Sequence, residues 1–401
     1  MTLRRIPDPA VGAEIRTRRL LRGWSMRFAA SRAGVSHATW SRIERGLQTA
    51  DNRFMLATIA AALECAPADL ARTVAPAPDR TTAAARTGVL GLRTALVDID
   101  LADPPAGTAP PIAGLRREVA LLAALFRACD YAGAARLLPD LLRHLHTETA
   151  GPHRRDALLL LGEASHIASS VLRNLGYPSD AWLGAQRCRD AADAAGDPVL
   201  QGLAAYALAS AAIACGSHQR GQTIAERAVD DLSRHRARPG GLEMLGSLHL
   251  VAALASRFRQ RLDDSRDWLA EASALAARTG ETTTMDMFFG PTNVNIWRMS
   301  IEVDDGDPAR VVEIARRTDP ALIPVGVRQV FYYGDAARAL ARMGGRDREA
   351  TRFLLTAERV APQHVRTCPE LAATVRLLLD RSHRRTGGTE LRALHERVEL
   401  R

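Results

Sequence analysis

From Gly114 onward the chain punctuates itself at a loose period, and that constrains its fold more than any other feature. Clusters of turn-forming residues recur at Cys129–Gly133, Leu175–Asp180, Gly216–Gly221, Arg259–Asp264, Asp304–Pro308 and Gly344–Asp347, about 39 to 46 residues apart. A second set falls between them, at Gly151-Pro152, Gly196–Pro198, Pro239–Gly241, Thr279-Gly280, Asp319-Pro320 and Ala361-Pro362. Gly and Pro are the strongest breaks in regular structure. The stretches between them are crowded with Ala, Leu and Arg, while aromatics make up only 4% of the chain; that mix favours helix over strand. Each unit reads as a helix, a tight turn, a second helix and a stop. Second helices often open with small residues (Ala134-Ala135, Ala181, Ala309, Ala350) that allow close packing. One such pair cannot bury its apolar face alone, so six or seven must stack into a superhelix.

These units resemble the tetratricopeptide class over about residues 115–362, although they are longer than its usual ~34 residues. The expected architecture is all-α, with a solenoid over 114–401. Its final pair, about 369–400, carries the charged run Arg381–Arg385 and serves as a cap. A solenoid presents a concave surface lined by the first helix of each pair. Polar residues at helical spacing there are the candidates for ligand contact: His166, Ser170 and Arg173; Tyr206 and Ser210; His249; Asn293, Trp297 and Ser300; Arg328, Tyr332 and Asp335. The stretch Phe288-Phe289-Gly-Pro-Thr-Asn293-Val294 breaks the helical pattern. It reads either as a wide turn with Asn293 capping the next helix, or as a place where Phe289, Asn293 and Asn295 meet a ligand amide.

Residues 11–70 parse differently, into five short helices. The first runs from about Val11 to Arg22 and stops at Gly23. Ser25 caps a second, ended by Gly34; Ser36 caps a third, ended by Gly46. Asp51 or Asn52 caps a fourth carrying Phe54, Ile59 and Leu63, and Pro67 opens a fifth carrying Leu70. The corner Ala33-Gly34-Val35-Ser36 has the length and glycine that a helix-turn-helix requires. Val35, Trp40 and Ile43 face the core, while His37, Ala38, Ser41 and Arg42 point outward from the same helix.

Ala33-Gly-Val-Ser, then Trp40-Ser-Arg-Ile-Glu-Arg-Gly46, Ile59–Leu63 and Pro67–Leu70 resemble the XRE (Cro/C1-type repressor) family over about residues 10–72. Met26, Arg18 and Trp40 depart from its usual residues. The resemblance implies a third helix that enters the major groove of double-stranded DNA. It places Ser36, His37, Ala38, Thr39, Ser41 and Arg42 near base edges, with Arg42 the best reader because a guanidinium bonds guanine bidentately. Arg27, Arg45 and Arg53 are expected at phosphates, which fix register without reading sequence. Joined to tetratricopeptide-like repeats, the module resembles that of many actinomycete regulators. This implies control of secondary metabolism or development.

Charge agrees with that division. The net charge is +9, and every basic residue is Arg; residues 1–72 hold 12 Arg against 6 acids, so most of the excess sits in the N-terminal module. A basic module on a near-neutral body suits phosphate binding. The expected domains are 1–75, the DNA-binding unit; 76–113, a Pro/Ala-rich linker around one short ordered segment at Val89–Leu101; and 114–401, the repeats, which sense a signal and dimerise. Five scattered cysteines without CxxC spacing, and the lack of a leader-like or membrane-length apolar run, point to the cytoplasm.

No phosphate loop, nucleophile elbow or HExxH stands out. His144 and His146, near His153 and Glu148, are two apart and diverge on a helix. The expectation is no enzyme, no cofactor and no metal. The leading reading is a homodimeric operator-binding regulator whose repeats bind a small-molecule or peptide effector. Its rivals are a scaffold whose repeats hold a partner protein, with the helix-turn-helix only a tether, and a constitutive repressor whose repeats only dimerise.

Overall fold

The computed structural model describes residues 9–48, 50, 53–65, 67–70, 80–305, 307–323, 325–382 and 389–399. Asp51, Asn52, the prolines at 76 and 78, and His383–Arg385 of the charged run lie outside these residues, as does the side chain of Arg53. Every regular element among the described residues is helical, and none of these helices is long and apolar enough to cross a membrane.

The N-terminal bundle consists of α1 (Pro9–Leu21), α2 (Met26–Arg32), α3 (His37–Glu44), α4 (Arg53–Ala62) and α5 (Pro67–Leu70). Ser25 Oγ accepts from Phe28 N at 3.2 Å and Ser36 Oγ from Thr39 N at 3.0 Å, so both expected caps form. Gly23, Gly34 and Gly46 take the left-handed conformation that ends each of the first three helices. Ile15, Ala29, Trp40, Ile43, Ile59, Leu63 and Leu70 close the core.

That core also contains a charge. Arg19, 7% exposed, donates through Nε and Nη2 to Glu44 at 2.6 and 2.9 Å, and through Nη1 to Trp24 O at 2.7 Å. Glu44 also accepts from Trp40 Nε1 at 2.5 Å. This fork ties α1 to the end of α3 and aims the exposed face of α3. Arg18, the sequence's departure from the family pattern, turns outward instead to Glu14 at 2.7 Å.

The segment expected to be a linker is more ordered than its composition suggests. Residues 80–97 form an 18-residue helix, α6 (Arg80–Val97), whose Val89, Leu92 and Leu96 are buried in the core of the repeats. Arg93 holds Asp180 bidentately at 2.8 and 2.7 Å. His146 meets Asp100 O through Nε2 at 2.7 Å.

The repeats follow as antiparallel pairs. They are α7 (Ile112–Arg127) with α8 (Tyr131–Glu148), α9 (Arg154–Asn174) with α10 (Pro178–Ala195), and α11 (Pro198–Ala214) with α12 (His218–Ser233). Next come α13 (Gly241–Phe258) with α14 (Leu262–Thr279), α15 (Pro291–Asp305) with α16 (Pro308–Arg316), and α17 (Gly326–Arg342) with α18 (Asp347–Val360). A short α19 (Pro362–Thr367) precedes α20 (Pro369–Ser382) and α21 (Thr389–Glu399). The turns inside the first four pairs share one geometry. A left-handed residue (Cys129, Gly176, Gly216 or Gln260) is followed by an N–H that reaches five residues back, as in Asp130 N to Leu125 O at 2.9 Å and Arg261 N to Ser256 O at 2.9 Å. Of the small residues expected at second-helix starts, Ala134, Ala135, Ala181 and Ala350 are buried, whereas Ala309 is exposed.

The array is not an open arc. Its first helices touch in the cyclic order α7, α9, α11, α13, α15, α17 and back to α7. α19 completes the closure against the start of α8: Tyr131 OH pairs with His364 Nδ1 at 2.8 Å, Ala132 N donates to Gln363 Oε1 at 3.0 Å, and Gln363 Nε2 donates to Asp130 Oδ1 at 2.9 Å. The solenoid curls into a ring with an enclosed interior.

Replacing Glu44 by Ala strands a buried guanidinium and an indole N–H. The expected loss is about 3–5 kcal/mol, read as a lower denaturant midpoint of the N-terminal transition. A loss below 1 kcal/mol would mean that the fork is not what holds α1 to α3.

Candidate nucleic-acid interface and enclosed interior

The exposed face of α3 follows from its buried one. Trp40 and Ile43 fix the helix by burial, which leaves Ser36, His37, Ala38, Arg42 and Arg45 exposed and Thr39 and Ser41 half-buried. Arg42 Nε donates to Gln48 Oε1 at 3.0 Å, a contact that orients the guanidinium without hiding it. Arg45 leans on Ser41 O at 3.2 Å, and Arg27 is exposed near the start of α2. Arg32 is engaged elsewhere, bonded to Glu64 at 3.0 Å and lying 4.8 Å from the Trp24 ring centre.

The bundle docks on the repeats through a different surface. Phe54 at the start of α4 is 2% exposed; its ring meets Phe258 edge-on at 4.8 Å and carries the Arg257 guanidinium 4.2 Å from its centre. His218 stacks on Phe258 at 4.6 Å. α4 also touches α15. Docking through α4 leaves α3 uncovered, so the α3 residues proposed to meet DNA stand clear of the ring.

Inside the ring, five of the expected ligand residues converge from four helices. Arg328 of α17 donates to Tyr206 OH of α11 at 3.4 Å, a contact across the interior because α11 and α17 are not neighbours in the ring. The Arg328 guanidinium lies 5.8 Å from the Trp297 ring centre, and His166 of α9 lies 6.1 Å from Tyr206. Arg173, two turns on from His166, completes the group. Burial lowers its pKa most, and Arg328 lowers it further against the opposing effects of Tyr206 and Tyr131. Burial, then Arg173 and Arg328, push His166 down to about 3, so its ring is neutral.

Other expected ligand residues are placed differently. Phe289 is buried against Gly246, where any side chain would overlap its ring. Tyr332 is buried and donates to Ala315 O at 2.9 Å. His249 packs against Trp268 at 5.1 Å. Asn293 is buried within α15, and Asn295 is half-buried. Asn293 does not cap that helix: Glu281 does, accepting from Thr292 N at 2.8 Å. Ser300 and Asp335 join a buried network in which Arg338 bonds Asp304 at 2.5 Å and Asp335 at 3.0 Å.

The sequence reading missed the acidic side of the interior. Burial raises the pKa of Glu163, one turn before His166; the charge of Asp286 adds to the rise and Arg116 opposes it. Asp286 is bonded to Arg127 at 2.6 Å. The i, i+3 spacing of Glu163 and His166 was the available signal. No group of His, Cys, Asp and Glu that could hold a metal ion occurs among the described residues.

Residues 10–73, which include most of the N-terminal bundle, match the family described as a helix-turn-helix domain. No curated protein matches the chain significantly. Among solved structures, that of Bacillus thuringiensis PlcR in complex with the peptide PapR7 and DNA is similar at 16% identity. The match covers 68% of this chain and 95% of that one, with a TM-score of 0.31.

Three buried histidines make the assembly acid-sensitive. Burial pushes His218 at the domain joint, His249, and His364 at the ring closure down to about 4, with Arg173 adding to the shift at His364. The unfolded chain binds their protons from about pH 6.5 downward, while the folded chain resists until about pH 4. Stability therefore falls as pH drops through that window, by roughly 1.4 kcal/mol per pH unit for each histidine. Urea unfolding at pH 7 and pH 4.5 should show the loss, and His364→Gln should flatten it. An unchanged slope in that variant would remove His364 from the account.

Proposed function

We propose that this protein is a sequence-specific DNA-binding transcription regulator whose ring of helical repeats binds a small-molecule or peptide effector and adjusts operator affinity. One observation carries the reading: α3 presents His37, Ala38 and Arg42 to solvent while the domain is anchored to the repeats through α4. A module built only to tether the repeats has no need to leave this helix clear. In the proposed complex the N-terminal half of α3 reads base edges, Arg42 bonding guanine and Ala38 meeting a thymine methyl. Arg27, Arg45 and Arg53 hold phosphates and set the register.

A homodimer would place two copies of α3 in major grooves roughly 34 Å apart, matching one helical turn of DNA. Such a protein works where the chromosome is, in the bacterial cytoplasm. An effector alters operator affinity only through different affinities for two arrangements of the domains. The joint of Phe54, Phe258 and His218 is the element whose packing those arrangements would exchange.

Genome-wide footprinting with the intact chain should identify operators, with protection that changes on adding cell extract. On such an operator Arg42→Ala should weaken binding by about 1–3 kcal/mol and relax the preference at one base pair. A gel-shift titration that shows wild-type affinity and preference removes Arg42 from base reading. If no site is protected at any protein concentration below that of non-specific binding, the regulator reading fails.

A further inference from the structure

Two guanidinium groups stand inside the ring with no carboxylate to answer them. Arg173 makes no side-chain hydrogen bond or ion pair among the described residues. Arg328 has only the Tyr206 hydroxyl at 3.4 Å and the Trp297 ring. Of the nearby acids, Asp286 is bonded to Arg127, and Glu163 makes no hydrogen bond or ion pair with either arginine among the described residues. Burial holds the pKa of Arg173 down, and the charge of Arg328 lowers it further. Like charges sharing a desolvated space are unfavourable unless a counter-charge arrives. Beside them, His166 Nδ1 is buried without a hydrogen-bond partner. A neutral imidazole there can donate to an oxyanion. Trp297 and Tyr206 supply flat apolar faces next to the charges.

We propose that Arg173 and Arg328, with His166, bind the oxyanion head of the effector, a carboxylate or phosphate whose apolar body lies against Trp297 and Tyr206. The inference deepens the effector-sensing reading and rests on it for its effect on DNA, though not for the binding itself. A guanidinium fork matches a carboxylate or phosphate bidentately, so two arginines from different helices select for charge and hold the head at a fixed point. Because α9 and α17, which flank α7 in the ring, each supply one arginine, an anion between them draws two non-adjacent helices together.

The test uses the intact chain in chloride buffer at constant ionic strength. Thermal unfolding is followed with three probes: inorganic phosphate, phenylacetate, and a pool of apolar heptapeptides with free C-termini beside the same pool amidated. At least one oxyanion probe should raise the melting temperature by several degrees above the chloride control. Amidation abolishes the peptide effect if a chain terminus is the source; a phosphate or phenylacetate effect points to a small organic anion. Arg173→Gln and Arg328→Gln should each weaken the responding probe about tenfold, and Arg328→Lys, which keeps the charge but not the fork, by less. Without any probe, Arg173→Gln should melt higher than wild type, because one of two uncompensated charges is gone. The proposal is overturned by no response beyond chloride to any probe, or by responses that survive both Gln substitutions. Footprinting separates the two readings. Anion binding that leaves operator protection unchanged refutes the sensor and keeps the site, whereas extract-dependent protection without anion binding keeps the sensor and refutes the site.

Discussion

The meeting of α19 with the start of α8 decides what kind of molecule this is. A solenoid of stacked pairs is quasi-one-dimensional, each pair touching only its neighbours, and its inner surface is open to solvent. Here the hydrogen bonds among Tyr131, His364, Gln363, Asp130 and Ala132 tie residues more than 230 positions apart. Asn174 extends the set by donating to Tyr131 OH at 3.0 Å. Once the ends are joined, the concave face becomes an interior, and side chains on helices that are not neighbours can reach one another. The contact between Arg328 and Tyr206 exists only because of that closure.

Closure also bears on how an event in the interior reaches the DNA-binding bundle. α15 lines the interior with Trp297 and touches α4, whose Phe54 is the anchor of the joint. One helix therefore belongs to both regions, and no long chain of intermediates is needed between them. Contiguity is only a route, however; coupling requires an element with two discrete arrangements. The contact of Phe54, Phe258 and His218 lies where such an element would have to be, between the bundle and the repeats.

The alternation of helices and nearly all turn positions were legible in the sequence because Gly, Pro and cap residues act locally. The helix-turn-helix was legible for the same reason: Ser25, Gly34, Ser36 and Gly46 each determine their own few residues. Three features were not. α6 hides in a stretch of Ala, Thr and Gly flanked by prolines, and only its tertiary contacts with α8 and α10 make it a helix of the core. The turns at Cys129–Gly133 and Arg259–Asp264 were read, but not that Cys129 and Gln260, which are not glycine, take the left-handed conformation there. The ring closure depends on Gln363 and His364, ordinary polar residues until a helix more than 200 residues away meets them. The candidate site divides along the same line. Helical spacing found His166 and Arg173 on α9, and Arg328 on α17. It also selected Tyr332, His249 and Phe289, because periodicity identifies a face of a helix and not whether that face meets the interior or another helix.

Two of the chain's buried arginines, Arg19 and Arg338, show what is unusual about the interior pair. Arg19 is forked to Glu44 in the N-terminal bundle. Arg338 lies between Asp304 and Asp335, whose charges outweigh the burial that opposes its own and raise its pKa. In both places a structural arginine comes with its acid, as the cost of desolvating a charge requires. Acids are present near the interior as well, yet Asp286 is bonded to Arg127 and Glu163 to neither Arg173 nor Arg328. The interior is thus left with the charges of Arg173 and Arg328 unanswered by a carboxylate. A ligand entering there would be oriented by its anionic end, with the apolar surface of α11 and α15 left to select its body.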